Sequence, residues 1–150
     1  MKNKGFTLIE LLAVIVILAI IALIATPIIL GIINDARTNA KKRSAELVYT
    51  GVEYAYTSVL FKQTSNGTVK DDASLAEINA ELNVDNVQSH SVSGTDTDDS
   101  KNTMQILTKD NVYCAVKHPT ANKYTVTCGT KNDYTGSDVL ATKTLSYETK

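Results

Sequence analysis

Lys4-Gly5-Phe6-Thr7-Leu8-Ile9-Glu10 opens the chain, and from Leu11 to Ile33, 23 residues, no charged side chain occurs. As an α-helix that run measures about 35 Å, against a hydrocarbon core of roughly 30 Å. The nascent chain is therefore expected to span a bilayer. A removable secretory signal has a shorter apolar core, about 7–15 residues, and ends at a small-residue cleavage site. Here the residues after the run, Asn34-Asp35-Ala36-Arg37, form no such site. Glu10 is the anomaly. An ionised carboxylate at the edge of the hydrocarbon is costly, and such a group usually has a partner and a task. The plainer reading leaves Glu10 at headgroup depth, favoured by the positive end of the helix dipole.

Gly5-Phe6-Thr7-Leu8-Ile9-Glu10, with a short basic leader before it and the apolar run after it, resembles the N-terminus of the type IV pilins. The likeness is to members with a short leader and a phenylalanine at the new N-terminus. It covers the first third of the chain in detail and the rest only in architecture. The resemblance implies a membrane peptidase that cuts between Gly5 and Phe6 and methylates the new amine of Phe6. It makes Glu10, four residues beyond Phe6, the assembly glutamate, and Pro27, 21 residues beyond Phe6, the helix-kinking proline. The implied partners are a prepilin peptidase/methylase, identical or related pilin subunits, the inner pilus assembly platform, and the membrane before assembly.

Elementary chemistry gives each position a reason. Gly5 has no side chain, so a protease reaches its backbone. Cleavage creates a positive amine at Phe6, and methylation keeps that charge. In an apolar filament core the amine and Glu10 neutralise one another, most usefully between neighbouring subunits, because an unpaired buried ion is expensive. Pro27 removes a helix hydrogen bond and crowds the preceding turn. Gly31, one turn later, weakens the same stretch by roughly 1 kcal/mol relative to Ala. A bend or melted turn is expected near residues 23–31. Lys and Arg near the span do not settle its direction: Lys2 and Lys4 lie before it, and Arg37, Lys41, Lys42 and Arg43 after it. The resemblance does, placing residues 1–5 in the cytoplasm and the chain past about residue 34 outside.

The expected organisation is a cleaved leader at 1–5, a transmembrane and assembly helix at 6–33, an amphipathic helix at 34–62 and a globular head at 63–150. The net charge of −1 becomes −3 once Lys2 and Lys4 are removed, and residues 63–150 carry eight Lys against twelve Asp and Glu. An acidic head argues against a specific nucleic-acid partner. In 34–62, Leu47, Gly51, Ala55 and Ser58 with Val48, Val52 and Val59 recur at three- and four-residue steps and should hold a sheet. Tyr49, Glu53 and Tyr56 are expected on another side, towards a neighbouring subunit.

Ser65-Asn66-Gly67 signals a turn. Ser74 and Glu77 have capping-box spacing before Leu75, Ile78 and Leu82, which gives a short amphipathic helix. Val84 to Val92 reads as a strand, and Gly94 to Asn102 as an exposed acidic loop. Asp96, Asp98 and Asp99 offer calcium its preferred oxygen ligands, but the glycine and distal glutamate of the helix-loop-helix pattern are missing, and no metal is assigned. Met104–Thr108, Val112–His118, Lys123–Cys128 and Val139–Glu148 read as antiparallel strands. A hairpin symmetric about Ala121 puts Val116 opposite Val126 and Cys114 opposite Cys128 on one face. Outside the cytoplasm the two cysteines should form a disulfide. Many relatives bracket a C-terminal loop with a disulfide; here the second cysteine lies well before the end.

No catalytic constellation is present. Cys114 and His118 are four residues apart on a strand, roughly 13 Å, too far for a direct dyad. His90 and His118 lack metal-ligand spacing, and no phosphate-cradling loop or nucleophile elbow occurs. The reading is a non-enzymatic α+β protein without cofactors: a long N-terminal α-helix packed on a small antiparallel β-sheet head, pilin-like. Its implied function is a structural subunit stored in the membrane and polymerised into an extracellular filament. The alternative is a pseudopilin or minor pilin of a DNA-uptake or secretion machine.

Overall fold

A computed structural model describes residues 6–65, 72–94, 101–132 and 138–146, with the backbone alone at 63–65. The chain is α+β. A long N-terminal helix, α1 (Leu8–Ser65), is followed by a short helix, α2 (Leu75–Glu81). Five strands follow: β1 (Val87–Ser93), β2 (Thr103–Thr108), β3 (Tyr113–Thr120), β4 (Lys123–Gly129) and β5 (Val139–Ser146). Two compact units divide at residue 38, and α1 contributes to both.

In the first unit α1 is apolar all round from Leu11 to Ile33, and its large apolar side chains from Leu8 to Ile33 are exposed. A helix hydrophobic on every face belongs inside a bilayer or a protein core. Length and composition suffice for a membrane crossing. The helix runs unbroken through Pro27. One residue earlier the Thr26 hydroxyl donates to the Ala22 carbonyl at 2.6 Å, a back-bond of the kind that bends helices. A Cβ on Gly31 would meet nothing within 4 Å, so packing inside one subunit does not require glycine there.

In the second unit, Ala45, Val48, Tyr49, Val52, Ala55, Tyr56 and Val59 of α1 are buried, one stripe at three- and four-residue steps. Two expectations change here. Tyr49 and Tyr56 are not presented to a neighbour; they are buried, at 5% and 1% exposure, while Leu47 is 51% exposed. The stripe centres on Val48, Val52 and Val59, so the two tyrosines flank it and their long rings reach across to the sheet. Tyr56 meets Tyr124 edge-on at 4.9 Å and donates its hydroxyl to Asn122 Oδ1 at 3.0 Å. Gly51 sits where a Cβ would collide with the Val84 side chain, and its absence lets the segment after α2 lie close to α1.

The sheet is antiparallel throughout, in the order β1-β2-β3-β4-β5. Period-two alternation sends Met104, Ile106, Cys114, Val116, Tyr124, Val126, Cys128 and Leu145 into the core with the α1 stripe. Val116 pairs with Val126 and Cys114 with Cys128, and the two cysteines are disulfide-bonded. The hairpin turn is tighter than expected: β3 continues through Pro119 and Thr120, and Ala121-Asn122 alone turn the chain, with Asn122 at φ 59°. A register shift between Lys117 and Thr120 absorbs the extra residue. α2 carries the expected capping box, Ser74 with Glu77. Asn102 is buried, not part of an exposed loop. The Asn66-Gly67 turn and the aspartates at 96, 98 and 99 lie outside the described residues.

A polar seam joins distant parts of the head. The Ser44 hydroxyl donates to Asp110 Oδ2, and the Asn86 amide donates to Ser44 at 2.9 Å and to Asp110 at 3.2 Å. It links α1, the entry to β1 and the β2–β3 turn. The Ser44 and then the Asn86 hydrogen bonds hold the Asp110 carboxyl below its ordinary 3.8. Glu81 and Asp138 are held down in the same sense by Lys62 and Lys131.

A carboxyl depressed on folding stabilises the fold above its unfolded pKa, and the contribution is lost as pH falls through the lower folded value. The thermal midpoint should therefore drop as the pH goes below about 4. Asp110→Asn should lower the neutral-pH midpoint and make that acid-side drop shallower, as calorimetry across pH would read. The disulfide closes a loop with a sequence separation of 14, worth roughly 3 kcal/mol. Cys114→Ala/Cys128→Ala should lose about that much in denaturant unfolding, and native, non-reduced protein should label with no thiol reagent.

Candidate assembly site at the N-terminus

The first turn of α1 places the sequence-nominated residues unequally. Gly5 lies outside the described residues. Phe6 precedes the helix and is 84% exposed. Thr7 is the residue before Leu8, and Glu10 stands in the first turn. The Thr7 backbone N–H donates to Glu10 Oε2 at 2.8 Å, and the Thr7 hydroxyl donates to the same oxygen at 2.7 Å. Glu10 N–H in turn faces Thr7 Oγ1 at 3.4 Å. This is a capping box, in which a threonine and a glutamate three residues on satisfy each other's free donors. Thr7 was missed as a site residue, although its Thr-x-x-Glu spacing is the signal that located Ser74 and Glu77.

The box gives Glu10 a definite orientation. One oxygen, Oε2, takes both Thr7 donors, and Oε1 has no hydrogen-bond partner among the described residues. In an apolar surrounding a nearby amine is the natural complement to such a carboxylate. Pro27 and Gly31 lie farther along the same apolar helix, and nothing in the first turn touches them.

The head holds a second polar cluster that sequence reasoning missed. His118 Nε2 lies 3.0 Å from Asp72 Oδ2, and its ring stacks on Tyr124 at 4.4 Å. The Tyr124 hydroxyl donates to Asp72 Oδ1 at 2.8 Å and to the Ala73 carbonyl. Burial, and then Asp72, push the Tyr124 hydroxyl far up, so it remains a donor. The cluster ties the segment before α2 to the β3–β4 hairpin. Among the described residues no three His, Cys, Asp or Glu side chains gather as a metal centre needs. Asp72 and His118 are 46 positions apart in sequence, so no local spacing announces the pair.

Residues 1–26 match the family model described as the prokaryotic N-terminal methylation motif, the signature of type IV pilins and prepilins. No curated protein and no solved structure matches the chain. The match contains Gly5, Phe6, Thr7 and Glu10 and stops one residue short of Pro27. It supports a type IV pilin-like or pseudopilin precursor and points to a structural subunit rather than an enzyme. The motif implies processing by a prepilin peptidase and assembly with other pilins. Together with the apolar helix it supports membrane anchoring before assembly.

Thr7→Val removes one of the two donors to Glu10 and the capping hydroxyl, while Thr7→Ser keeps both. In detergent-solubilised protein, amide exchange over residues 8–10 should accelerate roughly fivefold in Thr7→Val, the size of a lost cap, and stay unchanged in Thr7→Ser.

Proposed function

We propose that this chain is a structural subunit of a type IV pilus. It is stored in the membrane as a single-pass protein with residues 1–5 cytoplasmic. It is cut after Gly5, methylated on Phe6, passed to the inner assembly platform and polymerised into an extracellular filament serving adhesion, surface motility or aggregation. The observation that carries this reading is Glu10: a single carboxylate in the first turn of a helix whose next 23 residues carry no charged side chain, with one oxygen uncommitted among the described residues. The cut at Gly5 would create an amine four residues away in sequence, and stacking of such helices would bring amines and glutamates of different subunits together in an apolar core. Neither charge is then left alone.

Pro27 and Gly31 supply a weak stretch in the same helix. Pro27 has no N–H to give to the Leu23 carbonyl, and Thr26 already bonds backward to Ala22. A helix leaving a bilayer for a filament can bend or unwind there at least cost. The Cys114–Cys128 bond and the β3–β4 hairpin keep the head folded outside the cytoplasm, where disulfides persist. A pseudopilin or minor pilin of a DNA-uptake machine would share the N-terminal motif, but twelve acidic against eight basic residues in 63–150 would repel a nucleic-acid backbone.

Two variants test the reading. Gly5→Val should retain the leader, read as intact mass of the membrane-extracted protein; wild-type chains that still begin at Met1 in piliated cells refute the cut. Glu10→Val should be inserted and cut, since neither step needs the carboxylate, yet leave subunits in the membrane and shed filaments absent. Normal filament yield from a strain whose only pilin of this type is Glu10→Val refutes the assembly role.

A further inference from the structure

The capping box at Thr7 also decides which backbone carbonyls α1 takes. Phe6 and Thr7 lie outside the helix, which begins at Leu8. Among the described residues the first carbonyl in the ladder is that of Thr7, which accepts from the N–H groups of Glu10 at 3.1 Å and Leu11 at 3.3 Å. The Thr7 N–H is given to Glu10 Oε2 at 2.8 Å, and Glu10 N–H faces Thr7 Oγ1 at 3.4 Å. Both backbone groups of Thr7 are thus committed forward, towards the helix, and neither reaches back.

A helix in this sequence has reason to begin earlier. Its first N–H groups need acceptors, and in apolar surroundings bare ones are costly. Upstream, Gly5 and Asn3 are both of capping type. A helix begun at either would draw the Gly5 carbonyl into a bond from the Ile9 N–H, four residues on. One begun at Asn3 would also require the Thr7 N–H. The Gly5 carbonyl is the group that the cut attacks. Hydrolysis adds one water across the Gly5–Phe6 peptide bond, breaks it, and leaves a carboxylate on Gly5 and an ammonium on Phe6.

We propose that Thr7 is a positioning residue for this cut: by capping α1 it holds the helix start beyond the Gly5–Phe6 bond and keeps the Gly5 carbonyl out of the helical ladder. The inference rests on the processing reading and adds to it a residue and a physical task. Thr7 takes no part in the bond that breaks. Without its hydroxyl the precursor divides between a start at Thr7 and an earlier one, and only the first presents its scissile bond uncoiled. Apparent affinity for the peptidase then falls with the fraction in that form, while turnover of bound precursor does not. Glu10→Val keeps the threonine hydroxyl as a cap, so its precursor is still cut.

Steady-state cleavage of full-length precursor in detergent, by membranes that contain a prepilin peptidase, tests the role. Thr7→Val nearly preserves the shape of the side chain and caps nothing. Thr7→Ser and Thr7→Asn change the shape and cap well. For Thr7→Val, kcat/KM should fall roughly fivefold, the size of a lost cap, with the change in KM and kcat kept. Thr7→Ser and Thr7→Asn should be cut like the unmodified chain. Carbon chemical shifts of Gly5 and Phe6 in the uncut precursor should move towards helical values in Thr7→Val alone. Cleavage of Thr7→Val at an unchanged kcat/KM overturns the proposal and leaves the processing reading standing. So does a loss carried by kcat alone, or a Thr7→Ser or Thr7→Asn precursor as slow as Thr7→Val, which would mean that the peptidase reads the threonine side chain itself. An unmodified precursor that the peptidase does not cut overturns the processing reading, and this role with it.

Discussion

A charge placed at the end of a membrane-length apolar helix has to be answered, and that constraint organises this protein. Glu10 stands in the first turn of that helix with Thr7 supplying two donors, both to one oxygen. The capping box satisfies the helix start and half of the carboxylate together. It does not neutralise the charge. In the proposed filament, that residual negative charge is what the amine created by cleavage would meet. A leader that ends in a side-chain-free residue, a new amine and an oriented carboxylate then form a sequence in which each step prepares the electrostatics of the next.

The head solves a different problem, that of holding a small sheet on a single helix without tryptophan and with few phenylalanines. Tyrosine takes the place of larger apolar rings, and each buried tyrosine brings a hydroxyl that needs a partner. Tyr56 and Tyr124 find theirs at the two places where the fold most needs a tie, the β3–β4 turn and the segment before α2. The disulfide sits in the same hairpin, one register pair away from Tyr113–Gly129 and two from Val116–Val126. Side-chain hydrogen bonds, aromatic contacts and a covalent bond therefore concentrate on β3 and β4, the middle of the chain's only long-range scaffold among the described residues.

The elements that were legible in the sequence are those written in local patterns. The apolar run, the capping box at Ser74, the alternation in β2 to β4 and the facing cysteines each depend on residues a few positions apart or on one tight turn. Register followed from the hairpin's symmetry, and the structure pairs Cys114 with Cys128 accordingly. What was illegible depended on rotation and distance. A helix with both Leu47 and Val48 apolar does not say which of two faces is inside, and an error of one position, about 100° of rotation, turned Tyr49 and Tyr56 outward. Asp72 meets His118 only because the fold closes a long loop. Thr7 was legible and overlooked: its hydroxyl looked like one more small residue beside a motif already explained.

Thr7 and Tyr49 lead to the same conclusion about the isolated subunit from opposite directions. At Thr7 a polar group has been answered locally in a way that leaves a charge over. At Tyr49 a hydroxyl is buried with no hydrogen-bond partner among the described residues. A chain selected to be stable alone would be expected to mend both, with an apolar residue at 10 and a phenylalanine at 49, since removing both members of a buried polar interaction is often neutral or stabilising. Keeping them costs free energy in the single subunit. Such a cost makes physical sense where the groups find partners in other copies, because unmet polar groups then favour assembly over the monomer and also fix which surfaces come together. Apolar area alone would let helices associate in many registers; in the proposed filament, a carboxylate that must find an amine allows few.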